Sequence, residues 1–365
     1  MNELSVSFAS SSSGAHGFVP GEHLYATLSN QILDTHNPSS VIESSSHDYI
    51  NALKKSNKIR PASWRKTIVA LPDVLISLNQ CLMYSFEKQR YIVGDSVNWA
   101  VSKCPRELPS ASSLLSSSDN RLEILDNAFI LQAPGFAVYG HWLLDFVPRI
   151  LLIKEMSKYL PSIPIIVRSM PVWAQEIVTR LDVTNPIVSI PAEMNIYAKN
   201  LFIPLFMKQG YVYCEEILKE SFSVLRDIFY NPSVKQTGAA PSKKIFFARS
   251  KLPAANNQCQ LIDQFAAHGF NCVYPDKLSL EEQITLYSGV HKFVGEDSSA
   301  MHNIGFAESS LGVIFGRPRR LNLWHAAVAS STGQRIHYDS SVDEVTDTQY
   351  AIPGQSISSA LDLCL

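Results

Sequence analysis

Residues 243–316 read KKIFFARSKLPAANNQCQLIDQFAAHGFNCVYPDKLSLEEQITLYSGVHKFVGEDSSAMHNIGFAESSLGVIFG, and this stretch decides the fold. Short β-prone runs at 244–248, 272–274, 293–295 and 312–315 alternate with helical patterns at 261–268, 280–288 and 300–307. Strand and helix alternating at this spacing predict βαβ units, and hence a parallel sheet with helices on its faces. In such sheets ligands gather outside the carboxyl ends of the strands. The residues falling there are Arg249, Ser250 and Lys251, then Glu296, Asp297, Ser298 and Ser299. Cations and hydroxyls in that position suit an anionic, phosphate-bearing ligand.

Upstream, the strand pattern at 128–131 leads through Ala133-Pro134-Gly135 into a helical stretch, GHWLLDFVPRILLIKEM, at 140–156. Strands are expected at 163–167, 187–190 and 201–203, with helices at 172–181 and 215–230. This is a second βαβ series. The segment 231–242, rich in Pro, Gly and small polar residues, reads as a linker. Beyond 316 a helix at 321–331, a strand at 335–338 and a last helix at 356–363 complete the chain. The first third carries serine clusters at 10–13, 44–46 and 110–118, expected as loops. Between them short strands at 67–69, 74–78, 82–86 and 91–93 are expected, some of them antiparallel. The predicted architecture is therefore α/β, with two Rossmann-like domains facing a cleft. Domain one is 1–235, irregular with short strands over 1–120 and Rossmann-like over 121–235. Domain two is 243–340, followed by a tail helix in 341–365.

The bulk properties fit this picture. A chain of 365 residues suits two domains, and 46% hydrophobic content supplies real cores. A net charge of −2 gives no basic field for nucleic acid. Cys81, Cys104, Cys214, Cys259, Cys272 and Cys364 are scattered without a CxxC, so reduced thiols in a cytoplasmic protein are expected. No basic n-region precedes an apolar h-region, so secretion is not expected. No apolar run reaches the ~18 to 20 residues of a spanning helix.

Three groups of residues carry the chemistry. Gly295 ends a buried strand, and Ser298 is placed to cap the next helix, whose first N–H groups favour phosphate. Ser299 adds a hydroxyl. The alternative is that Ser298 only caps a helix while Glu296 and Asp297 are solvated loop charges. Arg249 and Lys251 follow a strand directly, and either bind a diphosphate or are ordinary surface cations. On a helix His141, Asp145 and Arg149 fall at i, i+4 and i+8, a polar row among apolar neighbours. Such a row on an otherwise buried helix faces a cavity, a partner or a cleft. His141 beside Asp145 suits general-base work, the carboxylate orienting the ring; the alternative is a hydrogen bond that only fixes packing. Pro148 disturbs the helix and makes the i+8 relation less secure. The chain lacks a D-x-D pair, a P-loop, a G-x-G-x-x-G and a G-x-S-x-G elbow. An adjacent Glu296-Asp297 pair would point its carboxylates in different directions rather than grip one metal.

With these residues assembled, the chain resembles glycosyltransferase family 61 and its bacterial capsular-polysaccharide-type members. The resemblance rests on Gly140–Asp145, the strand ending in Arg249, Gly269-Phe270 and the segment 275–283. It continues through Val294-Gly295 and Ser298-Ser-Ala-Met-His-Asn303 to Phe306, and spans 127–338. Where the family often has glycine-x-histidine-glycine-alanine, this chain has Gly295-Glu296-Asp297-Ser298-Ser299. The resemblance implies a GT-B-like fold and inverting, metal-independent transfer of a hexose or pentose from a nucleotide sugar, with no cofactor. It implies a UDP-linked donor held by Arg249, Lys251, Glu296, Ser298, Ser299, His302 and Asn303, with His141 and Asp145 catalytic. The acceptor would be an oligosaccharide or lipid-linked glycan of capsule or lipopolysaccharide assembly, handled in the cytoplasm or at the inner face of the membrane. Two rival readings keep the fold: a non-catalytic glycan- or nucleotide-binding protein, and a pyruvyl transferase of polysaccharide assembly.

Overall fold

The structure is a computed structural model. Up to residue 121 it describes 18–20, 26–27, 42–44, 67–78, 82–87 and 90–93. From 122 it describes all but 134, 192, 205–207, 210–211, 234–242, 252–253, 318–321, 347–348 and 365. The expected loops at 10–13 and 110–118, Cys81, Cys104, Pro134 and most of the expected linker lie outside the described residues. Two compact units emerge: Met1–Asp34 with Ala62–Gly210, and Thr35–Pro61 with Tyr211–Leu365.

The first unit is built on a nine-stranded mixed sheet. Its order is Phe18–Pro20, Arg90–Val93, Leu82–Ser85, Thr67–Ser77, Asn195–Pro204, Leu122–Ile130, Ile165–Val167 and Ile187–Ser189, with Ala26–Thr27 beside Thr67–Ser77. The last four in that order run parallel, and Thr67–Ser77 pairs antiparallel with Leu82–Ser85 and Asn195–Pro204. The first third of the chain thus extends the same sheet as the βαβ series. The two strands expected at 67–69 and 74–78 are one, Thr67–Ser77, despite Pro72 and Asp73 in its middle. Asp73 takes a left-handed φ of 50°, and the Tyr197 hydroxyl donates to its carboxylate at 2.5 Å. Asp accepts this conformation better than most residues because its short side chain bonds locally. Ile76, Ile130, Ile166, Ile196 and Leu201 form the centre of this core.

The second unit carries a six-stranded, wholly parallel sheet. Its order is Asn271–Val273, Lys244–Phe247, Lys292–Glu296, Leu311–Phe315, Arg335–Asp339 and Ile42–Ser44. Leaving out the last strand, which comes from far upstream, the order in chain sequence is 2-1-3-4-5. That is a doubly wound arrangement whose order reverses between the first and third strands. Successive side chains of a strand face opposite sides. Phe246 stacks on Phe265 of the helix Gln258–Ala267, while Phe247 stacks on Tyr287 of the helix Leu280–Ser288 at 4.3 Å. Helices therefore cover both faces. Each fully buried Phe or Leu contributes ~1.5 to 3 kcal/mol.

Three expectations change here. The helix Glu215–Phe229 belongs to the second unit, so the division falls near 210 rather than at 235–243. Its apolar face packs Phe222 on Phe306 at 5.0 Å, and Ser330 donates to Glu215 at 2.5 Å. Amphipathicity announced the buried face but not which sheet would cover it. The tail is preceded by an antiparallel hairpin, Asp343–Thr346 with Gln349–Ala351, and the helix Gly354–Cys364 packs Ile357, Ala360 and Cys364 into the main core. Finally, Ser299–Phe306 is a 3₁₀-helix, not an α-helix.

Candidate functional site

The helical stretch carrying His141 has an α-turn Tyr139–His141, a π-helical turn Trp142–Phe146 and an α-helix Val147–Ser157. Pro148 has no N–H to give, and just ahead of it the Val147 N–H reaches Trp142 O, five residues back. Such π-turns recur at functional sites. Nδ1 of His141 lies 2.7 Å from Oδ2 of Asp145. The His141 side chain is 12% exposed and that of Asp145 is 3% exposed. With Nδ1–H donated to the carboxylate, Nε2 carries the lone pair of the neutral ring. Gly135, at φ 84°, closes against the imidazole: a Cβ there would sit 2.6 Å from Cδ2. The Trp142 indole donates to Phe136 O at 2.5 Å and ties this turn to the helix.

Arg149 departs from the expected polar row. It is 1% exposed and donates to Pro204 O, Leu131 O and Ile130 O at 2.7, 2.9 and 3.0 Å. These carbonyls close the strands Leu122–Ile130 and Asn195–Pro204, between which the strand order of this unit reverses. Arg149 therefore fills with its own guanidinium the crevice where a doubly wound sheet would take a ligand. Burial lowers its pKa to about 9, while the Asp145 charge acts the other way.

The second unit leaves the corresponding place to different chemistry. Arg249 follows the first strand and donates through Nη1 to the backbone carbonyl of Asp297, after the third, at 2.9 Å. It thus spans the reversal point and stays half-buried. The Gln258 amide holds the Arg249 peptide from both sides, accepting from N at 2.7 Å and donating to O at 3.0 Å. Asp297, expected at the strand end but not among the donor ligands, anchors this edge. Oδ1 accepts from His325 Nε2 at 2.8 Å and Asn322 Nδ2 at 3.0 Å, and Oδ2 from the Tyr338 hydroxyl at 2.9 Å. Burial works to raise its pKa, but the His325 charge and these three donors outweigh it and hold the carboxyl below its usual value. His325 lies 28 residues away, and no local spacing could have linked it to Asp297.

The other expected ligands divide. Ser298 and Ser299 are half-exposed at the start of the 3₁₀-helix, and the Ser298 hydroxyl makes no capping bond. Lys251 is exposed, and the Ser250 hydroxyl donates to Asp276. Glu296, His302 and Asn303 are each at most 1% exposed. Glu296 was read as either a ligand or a solvated charge, but it ends an internal strand and points inward. Its Oε2 accepts from Ala255 N at 2.8 Å and from the Tyr350 hydroxyl. Asn303 donates to Gln283 at 2.9 Å, and the His302 ring lies 4.9 Å from that of His325. All three side chains are buried within the second unit. Gly295 fits a close approach, since a Cβ would meet Met301 at 3.0 Å and Phe247 at 3.1 Å. The motif at 275–283 is likewise architectural: Ser279 and Glu282 form a reciprocal capping box at the start of the helix Leu280–Ser288. Among the described residues no group of three or more His, Cys, Asp or Glu could hold a metal ion.

Asp297 gives a pH prediction. A depressed folded-state pKa contributes stability that is present above the unfolded carboxylate value and lost as pH falls through the depressed one. Asp297→Asn should cost about 1 to 3 kcal/mol at neutral pH and flatten the acid limb of the stability profile below ~pH 4. Denaturation midpoints between pH 2 and 7 measure this, and parallel profiles for the two proteins would remove the assignment.

The architecture is mixed α/β, with a parallel, doubly wound second unit and a cationic residue at its reversal point. Residues 139–314 match the family model described as Glycosyltransferase 61, and this segment is similar to that family of transferases. The matched region holds His141, Asp145, Arg249 and the whole segment from 292 to 306. No curated protein matches the chain. Among the described residues no helix is long and apolar enough to cross a membrane.

Proposed function

We propose that the protein is an inverting, metal-independent glycosyltransferase with a GT-B-like use of its two units, taking a nucleotide-sugar donor, UDP-linked, and a glycan acceptor of surface-polysaccharide assembly. The second unit binds the donor diphosphate and the first unit supplies the base. The observation carrying this division is the contrast between the two reversal points: Arg149 fills the first with internal hydrogen bonds, whereas Arg249 stands half-buried at the second.

In the reaction His141 takes the acceptor hydroxyl proton on Nε2 while Asp145 holds Nδ1–H. The acceptor oxygen bonds to the anomeric carbon as the bond from that carbon to the diphosphate oxygen breaks, its electron pair leaving with the diphosphate. Charge thus develops on the leaving group, where a fixed guanidinium stabilises it more in the transition state than in the ground state. His325–Asp297 is a second imidazole–carboxylate pair of similar length, but His325 is fully buried. The 12% exposure of the His141 side chain supports choosing that ring for proton transfer.

Calorimetric titration of UDP into the protein with excess EDTA tests the donor half. Binding should persist without metal, and Arg249→Ala should weaken it by ~1.5 to 3 kcal/mol, the worth of a hydrogen bond to a charged group. A requirement for Mg²⁺ or Mn²⁺, or an unchanged affinity in Arg249→Ala, would contradict the assignment. Binding of phosphoenolpyruvate instead of nucleotides would favour a pyruvyl transferase.

A further inference from the structure

Beyond Arg249, a second cation stands at the same edge of the parallel sheet. Arg317 comes two residues after the strand Leu311–Phe315, as Arg249 comes two residues after Lys244–Phe247. The strand Lys292–Glu296 lies between those two, paired with Phe247 through Gly295 and with Phe315 through Glu296. The arginines thus flank the carboxyl end of the strand that leads to Asp297 and Ser298. Both are half-buried.

Arg317 is held in place by a side chain of the hairpin. Its guanidinium carbon lies 5.7 Å from the centroid of the Tyr350 ring, a cation–π distance. Tyr350 is 3% exposed, and its hydroxyl donates to Glu296 of the intervening strand. The loop after Arg249 is tied to the same hairpin. Asn256 N donates to Tyr350 O at 2.8 Å. Asn257 exchanges two bonds with the Ile352 peptide, at 2.9 and 3.1 Å. Ala255 N donates to Glu296 at 2.8 Å. Loop, strand and hairpin therefore form one frame that carries Arg249 on one side and Arg317 on the other. Burial, then the Glu296 charge, push the Tyr350 phenol up, and both Arg249 and Arg317 act against them. Two guanidinium charges thus bear on one phenol. Burial likewise raises the Glu296 pKa.

We propose that Arg317 is a second diphosphate-binding residue, paired with Arg249 across the end of the Glu296 strand, and that Tyr350 is the residue positioning it. This rests on the reading of the second unit as the donor-binding one. Two planar cations fixed on one rigid frame match the charge of a nucleoside diphosphate, whose phosphate groups can each take a bidentate contact. Position 317 is 68 residues from 249, and no local motif joins them.

Calorimetry with UDP, GDP, uridine and inorganic pyrophosphate tests the proposal on the full chain. Arg317→Met keeps much of the aliphatic stem and removes the charge. It should weaken UDP and pyrophosphate binding about 10- to 100-fold while leaving uridine binding as in the wild type. Tyr350→Leu should weaken UDP about 3- to 10-fold, and Tyr350→Phe, which keeps the ring, should restore most of that loss. UDP and pyrophosphate affinities unchanged in Arg317→Met would overturn the proposal and leave the donor reading standing. Equal losses for UDP and uridine would overturn it too, by making Arg317 structural. A wild-type protein that binds neither nucleoside diphosphate nor pyrophosphate would overturn the donor reading itself.

Discussion

His141→Ala is expected to lower turnover by ~10² to 10⁴-fold with donor affinity nearly intact, the usual cost of removing a general base. The expectation follows from the 2.7 Å contact between Nδ1 and Asp145, which fixes the ring and its tautomer, and from the partial exposure of the imidazole. Asp145→Asn leaves the ring in place but removes the charge that would stabilise the imidazolium, and its loss should be smaller. Steady-state rates together with nucleotide titration separate the two effects. If Asp145→Asn abolishes turnover and His141→Ala is mild, the carboxylate is the base. If both variants turn over normally, the pair is structural. Gly135 bears on the same site: any side chain there meets the imidazole and must also adopt a φ of 84°.

The largest effect on stability should come from Arg149→Ala. The substitution leaves three strand-end carbonyls without their donors and opens a cavity at the join of two strands and a helix. A loss of about 3 to 5 kcal/mol is expected, comparable to breaking a buried charged pair. Denaturant unfolding measures it, and activity should fall in parallel because the same helix carries His141. Arg149→Lys should recover only part, since an ammonium cannot reach three carbonyls in the planar fork that a guanidinium offers. Near-normal stability in Arg149→Ala would show that water satisfies these carbonyls.

Five strands of the parallel sheet in the second unit were legible as short β-prone runs, whereas Ile42–Ser44 and the hairpin Asp343–Thr346 with Gln349–Ala351 were not. The helix expected at 280–288 is Leu280–Ser288, and the structure adds the capping box of Ser279 and Glu282 at its start. The first unit was less legible. Asn195–Pro204 has partners on both sides, yet Lys199 and Asn200 break its apolar pattern, and only 201–203 was read as strand. Ten residues hold there because neighbours on two sides supply the pairing, which is information from outside the segment. Within the site, the His141–Asp145 pair was visible because helical spacing is local. The contacts of Asp297 with His325 and of Glu296 with Tyr350 span 28 and 54 residues and were not. The family resemblance implied Glu296, His302 and Asn303 as donor ligands. Their burial follows from the strand end and 3₁₀ turn on which they sit.

The most direct measurement of the central claim is release of free UDP from a panel of UDP-sugars incubated with the full chain, without acceptor and with EDTA present. The account predicts slow, metal-independent hydrolysis of at least one donor by the wild type, lost in His141→Ala, which still binds UDP. A donor that binds and remains intact with the wild type and with every glycan acceptor tried would contradict it, and would make the protein a binder of nucleotide or glycan rather than an enzyme.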